Sequence, residues 1–192
     1  SITTGNWFSP IGRAIDWSAI AWDEDFGDRT GSVGAQYHVG IDLNGSNGVG
    51  YGSPVYSIGT GTVVYAGENG GYGNQIQVDY GNGLKAWYSH LSAIGVSVGD
   101  TVTGGQAIGA VGNTGNSYGA HLDFRTSVNG TFVDPELILN SGSSSGTTSG
   151  SLSDWINAAI AITGIDASNA SALYTMAMAE SGGNPSAVNL WD

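Results

Sequence analysis

The sequence predicts a mainly β protein, an antiparallel sheet over residues 26–139, followed by a short C-terminal α-helical fragment. Short alternating or apolar runs ("SPVYSIGTGTVVYAG", "NQIQVDYG", "LKAWYSHLS", "TVTGGQAIGAVG", "HLDFRTSVNGTFV") succeed one another up to residue 139, separated by Gly, Asn and Asp at turn-like intervals. Thirty-three glycines suit tight turns and close sheet packing, because glycine reaches positive φ without steric cost, and they lack the period of a collagen. The texture then changes at residue 140, where a Gly/Ser/Thr tract begins.

Taken in order, residues 1–25 contain "WFSP" (7–10), Trp17 and Trp22, which predict an N-terminal segment packed on the sheet as an apolar cover. Residues 26–139 form the sheet domain. Residues 140–151, "NSGSSSGTTSGS", read as a flexible linker. In 152–192, Ser153 can cap "DWINAAIAIT" and Gly164 can end it. "ASALYTMAMAE" makes a second helix stopped by Gly182, Gly183 and Pro185. Two helices cannot bury a core of their own, so this part reads as the start of a second, incomplete domain.

Composition excludes several functions. Four Lys+Arg against sixteen Asp+Glu give a net charge of -12, so neither nucleic acid nor an anionic membrane is expected to bind through a basic face. Cysteine is absent, which removes disulfides and thiolate metal sites and leaves His, Asp or Glu as ligands. No run approaches the length of a membrane span. The chain begins with Ser1 rather than methionine and reads as a piece of something longer.

The three histidines are His38, His90 and His121, each in a β-like run. "YHVGID" (37–42) puts His38 four residues ahead of Asp42, a pair that suits a metal or an ordinary exposed histidine beside a turn aspartate. In "YSHLS" and "GAHLDF" the histidine stands next to a leucine that faces the opposite side of the strand, so all three can converge on one face. The period of two in "HLDFR" places His121, Asp123 and Arg125 on the same side. These are nitrogen and oxygen ligands of the types zinc accepts. "DLNGSNG", from Asp42, imitates a calcium loop but has Asn47 and Ser53 where glycine and glutamate belong, which rejects it.

The succession "FGDR" (26–29), "HVGIDL" (38–43), "GSPVYSIGTGTVVYAG" (52–67), "GGYGNQIQVDYGNGLKAWYSHLS" (70–92), "VGDTVTGGQAIGAVGNTGNSYGAHLDF" (98–124) and "VDP" (133–135) resembles the lysostaphin/LytM family of zinc endopeptidases, which cut the peptide part of bacterial peptidoglycan. The resemblance implies an antiparallel sheet crossed by a substrate groove with one zinc ion at its floor. It places His38 and Asp42 as the first two metal ligands and His90 and His121 as the catalytic histidines. Tyr37, Tyr51, Tyr72, Trp87 and Tyr118 are candidates for the groove walls, and equally for ordinary sheet or turn aromatics.

At the third ligand position the chain departs from the family: "HLHFE" has become "HLDFR", and Asp123 stands where histidine is usual. Two readings follow. Asp123 is itself a ligand, giving zinc one histidine and two carboxylates. Alternatively Arg125 pairs with Asp123 and replaces the metal's charge, leaving a metal-free, inactive peptidoglycan-binding or structural module.

"MAMAESGGNPSAVNLWD" (176–192) resembles the opening of the lytic transglycosylase/goose-type lysozyme fold found in phage tail tape-measure proteins, with Glu180 at the catalytic acid's position. The tandem of a peptide-cutting and a glycan-cutting module suggests a phage tail protein, acting at the cell wall during DNA entry with peptidoglycan and other tail proteins as partners. A secreted bacterial autolysin is the alternative.

Overall fold

The computed structural model describes residues 7–21, 24–28 and 37–141. The linker after residue 141, both C-terminal helices and Glu180 therefore lie outside the described residues. Eleven strands are present among them: β1 (Gly27–Asp28), β2 (Tyr37–His38), β3 (Ile41–Leu43), β4 (Pro54–Tyr56), β5 (Gly61–Glu68), β6 (Asn74–Gly81), β7 (Leu84–Ile94), β8 (Thr101–Val102), β9 (Ala107–Val111), β10 (Leu122–Val128) and β11 (Thr131–Val133). One short helix follows, α1 (Pro135–Asn140), in a stretch too short to show a helical period. Pro135 at its first position and Asp134 as N-cap, accepting the Glu136 N–H at 2.9 Å, start it.

Strands β3 to β11 form one antiparallel sheet whose main path is β11-β10-β7-β6-β5-β8; β3 adds to β10, and β9 joins β7 to β4. Strands β1 and β2 form a separate two-stranded ribbon. Two Asn-Gly pairs set the register of the central hairpins. Asn82 and Gly83 (φ 51° and 82°) turn β6 into β7, and Asn129 and Gly130 (φ 49° and 83°) turn β10 into β11. Positive φ at both central residues is what the tightest hairpin turn requires, and Asn-Gly supplies it with least strain.

One face of the sheet carries the core. Ile41, Leu43, Ile76, Val78, Tyr88, Leu91, Leu122 and Phe124 are wholly buried there, with the Tyr88 and Phe124 rings 5.2 Å apart. The other face carries a cross-strand row of Tyr65, Gln77, Trp87 and Arg125, one residue from each of β5, β6, β7 and β10. From the N-terminal segment, the Phe8 N–H donates to the Ile58 carbonyl at 2.8 Å and the Trp7 ring meets Tyr80 edge-on at 5.8 Å.

Candidate metal and catalytic site

Alternation in β3 decides where Asp42 points. Ile41 and Leu43 are fully buried in the core, so Asp42 between them faces the opposite side. In the β3–β10 ladder Asp42 stands directly across from Asp123, which in turn stands across from Ser89 of β7. His38, at the end of β2, completes the group: one ligand atom from each of His38, Asp42 and Asp123 lie within 4.8 Å of one another. His38 Nε2 is 3.5 Å from Asp42 Oδ1.

Residues 24–28 hold this corner. The Asp25 carbonyl faces His38 Nδ1 at 3.2 Å, the Glu24 carbonyl accepts the Asp42 N–H at 2.8 Å, and the Glu24 carboxylate accepts from Asn44 Nδ2.

His90 reaches the same side by a different route. Between Ile76–Tyr88 and Asn74–Leu91 the β6–β7 ladder advances two residues on β6 and three on β7, so β7 bulges. His90, in the bulge, has φ 60°. That left-handed conformation is uncommon outside glycine, with histidine among the residues that tolerate it best. It turns His90 to the same side as Ser89 while Tyr88 and Leu91 stay in the core.

The His90 ring faces the Thr114 carbonyl through Nδ1 at 2.8 Å, and the His121 ring faces the Gly119 carbonyl through Nδ1, also at 2.8 Å. A carbonyl oxygen can only accept, so both rings carry their hydrogen on Nδ1 and turn the Nε2 lone pair into the site. Burial lowers the pKa of His90, outweighing the Thr114 bond that would raise it, which keeps the ring neutral. His121 Nε2 lies 3.7 Å from Asp42 Oδ1, His90 Nε2 lies 3.9 Å from Asp123 Oδ2, and the two rings are 4.7 Å apart.

Gly112 makes that proximity possible. It bridges to His121, and a Cβ there would strike the backbone of His90 and Leu91 at 2.7 Å and the Ser92 nitrogen. The sequence offered no signal that singled it out among so many glycines. The carbonyls of Asp25, Thr114 and Gly119 were likewise invisible, because a backbone carbonyl leaves no mark on residue identity.

Arg125 takes both oxygens of Asp123, Nε to Oδ1 at 2.8 Å and Nη2 to Oδ2 at 2.6 Å. Tyr72 lies over it, with the guanidinium carbon 4.6 Å from the ring centre and Nη1 donating to the Tyr72 hydroxyl at 3.2 Å. Of the other groove candidates, Trp87 lies in the row beside Arg125, while Tyr51 and Tyr118 stand well into solvent. The Tyr37 side chain lies outside the description.

The donors fit a zinc ion. His38 Nε2 and His121 Nε2 lie 3.5 and 3.7 Å from Asp42 Oδ1, and a cation beside that carboxylate would stabilise the approach. The 3.5 Å between His38 Nε2 and Asp42 Oδ1 is close to the separation of two ligands placed tetrahedrally at about 2.0–2.1 Å from zinc. The Arg125 fork uses one lone pair on each Asp123 oxygen and leaves others for a metal.

The model of peptidase family M23 matches residues 36–135, more than half of the chain. The chain belongs to peptidase family M23. It is 40% identical over 98 residues to the DD-carboxypeptidase/endopeptidase Mpg of Neisseria meningitidis, a match covering 51% of this chain and 22% of that protein. It is 42% identical over 79 residues to the peptidoglycan DD-endopeptidase ShyA of Vibrio cholerae, covering 41% of this chain and 18% of that one. Among solved structures, the catalytic domain of lysostaphin from Staphylococcus simulans superposes with a TM-score of 0.54 at 36% identity, covering 60% of this chain and 89% of that domain. The match thus spans about a fifth of each of those two curated relatives. The antiparallel sheet predicted from sequence is the M23 fold seen in lysostaphin.

Proposed function

We propose that this M23 domain is a zinc-dependent endopeptidase that cuts peptide cross-links of bacterial peptidoglycan. The observation that carries the reading is the convergence of His38, Asp42 and Asp123 within 4.8 Å, beside two histidines whose Nε2 atoms lie 3.9 Å from Asp123 and 3.7 Å from Asp42. The Neisseria relative, a DD-carboxypeptidase/endopeptidase, and the Vibrio relative, a peptidoglycan DD-endopeptidase, support the substrate.

His38, Asp42 and Asp123 would hold the ion. When bound, zinc supplies Lewis acidity toward a peptide carbonyl and lowers the pKa of a water molecule. The protein's own part is proton handling. His90 and His121 both turn Nε2 into the site as acceptors, with their rings 4.7 Å apart, so a proton taken up there can be passed to the leaving amine. The half-buried row of Tyr65, Gln77 and Trp87 offers an extended strip along which a peptide can lie.

The test is elemental zinc content together with release of new amino termini from purified peptidoglycan, for the wild type and for His121→Ala. Near-stoichiometric zinc in both, with cleavage by the wild type alone, supports the reading. A second reading, a metal-free wall-binding module, draws on the Arg125–Asp123 fork. A protein that refuses added zinc, releases nothing and still sediments with peptidoglycan would decide for it.

The wider assignment rests on sequence resemblance. "MAMAESGGNPSAVNLWD" supports a lytic transglycosylase-like segment with Glu180 as its acid, and the tandem supports a phage tail protein acting at the cell wall; secretion as an autolysin is the alternative. Anhydromuropeptides released from peptidoglycan and lost in Glu180→Gln, with the protein found in purified virions, would support it. Their absence overturns it.

A further inference from the structure

We infer that Arg125 is an electrostatic counterweight built into the metal centre: by sharing Asp123 with the ion it weakens zinc binding and leaves the loaded centre positively charged. The inference rests on the metal reading above and concerns what sets that centre's affinity and charge.

Two carboxylates and a neutral imidazole cancel the charge of a divalent zinc ion. Such a centre binds tightly but polarises a carbonyl poorly, because its own ligands have neutralised it. The guanidinium changes this. It meets both oxygens of Asp123 at 2.8 and 2.6 Å, with only 13% of the Arg125 side chain and 4% of the Asp123 side chain exposed, so water screens little of its field. Charge donated to the guanidinium is not donated to the metal.

Arg125 remains cationic there. A guanidinium keeps its proton in proteins at any pH at which they fold, and two of its bonds here go to a carboxylate. Tyr72 covers the outer side of the guanidinium with its ring and its hydroxyl, fixing the group in the pair.

The role is one of charge rather than placement. Asp123 has a short side chain on a strand paired on both sides, with Ser89 opposite on β7 and Asp42 opposite on β3. The backbone aims its carboxylate without help. Arg125 is therefore a positioning residue for charge alone, and it acts on the metal through Asp123.

The experiment is zinc affinity, measured by competition with a chelating dye on the whole chain at fixed pH, for the wild type, Arg125→Gln, Arg125→Lys and Asp123→Asn. Folding is checked by circular dichroism. Arg125→Gln keeps one N–H for Asp123 but no charge, and is expected to bind zinc about tenfold more tightly, the scale of effects transmitted through a ligand's hydrogen-bond partner. Arg125→Lys keeps the charge and is expected within about threefold of the wild type, and Asp123→Asn well below it. Zinc binding by the wild type that is unchanged or weakened in Arg125→Gln overturns the counterweight and leaves the metal reading standing, as does equal tightening in the Lys and Gln variants. No zinc binding by any folded variant overturns both.

Discussion

Tyr88 and Leu91 both point into the core although three positions separate them in β7, because His90 between them holds a φ of 60°. A flat strand would send His90 toward the core with Tyr88. The bulge is thus what delivers the histidine to the site, and it sets a conformational demand at one position.

That demand predicts an order of stability. His90→Asn tolerates the left-handed backbone and should cost less than about 1 kcal/mol, whereas β-branched His90→Val should cost about 2–3 kcal/mol. Urea denaturation of both variants checks this. Equal losses would mean that the turn is not what the site depends on.

Gly112 gives a second prediction. A methyl group at this position meets the backbone of His90, Leu91 and Ser92, which cannot give way as a side chain could. Gly112→Ala should lose about 2 kcal/mol of stability and most hydrolysis, by separating the His90 and His121 segments. A variant with normal melting and normal turnover would show that the contact is soft.

Among the described residues, Asp42 is the one carboxylate that faces two histidines, His38 and His121. Asp42→Asn keeps the shape and removes the charge. Zinc content should fall from near one ion per chain to below about a tenth of that, since an amide is a poor ligand for zinc. Retention of full zinc after dialysis would remove Asp42 from the ligand set.

Asp134 predicts a pH effect away from the site. Burial raises its pKa to about 6, against the Glu136 N–H bond that lowers it, with Asp25 and Glu136 adding repulsion. The folded state therefore holds this proton more tightly than the unfolded chain, so the group favours folding below about pH 4 and loses that contribution as pH rises through 6. Asp134→Asn keeps an N-cap and cannot ionise. It should exceed the wild type in stability by on the order of 1–2 kcal/mol at pH 8, with the gap closing by pH 4. A gap independent of pH would sink the assignment.

Much of the site was legible because strand periodicity is simple. The alternation in "HLDFR" put Asp123 and Arg125 on one side, and they are bonded to each other there. "HVGIDL" buries Ile41 and Leu43 and turns Asp42 outward. What the sequence hid was the means of support: the left-handed His90, the carbonyls that fix three imidazole rings, and Tyr72 reaching across to Arg125. Each of these depends on where distant backbone arrives, and no local pattern of residue types encodes that arrival. The short helix α1 was missed for a related reason, since its six residues are too few to display a period.

Asp42 and Asp123 face each other directly across the ladder that joins β3, a strand of three residues, to β10. An ion gripped by both would rivet the sheet's margin as well as serve chemistry, so part of its binding energy becomes cohesion of the fold. Chelation should then be felt first as faster amide hydrogen exchange at residues 41–43, while β6 and β7 at the centre keep their protection.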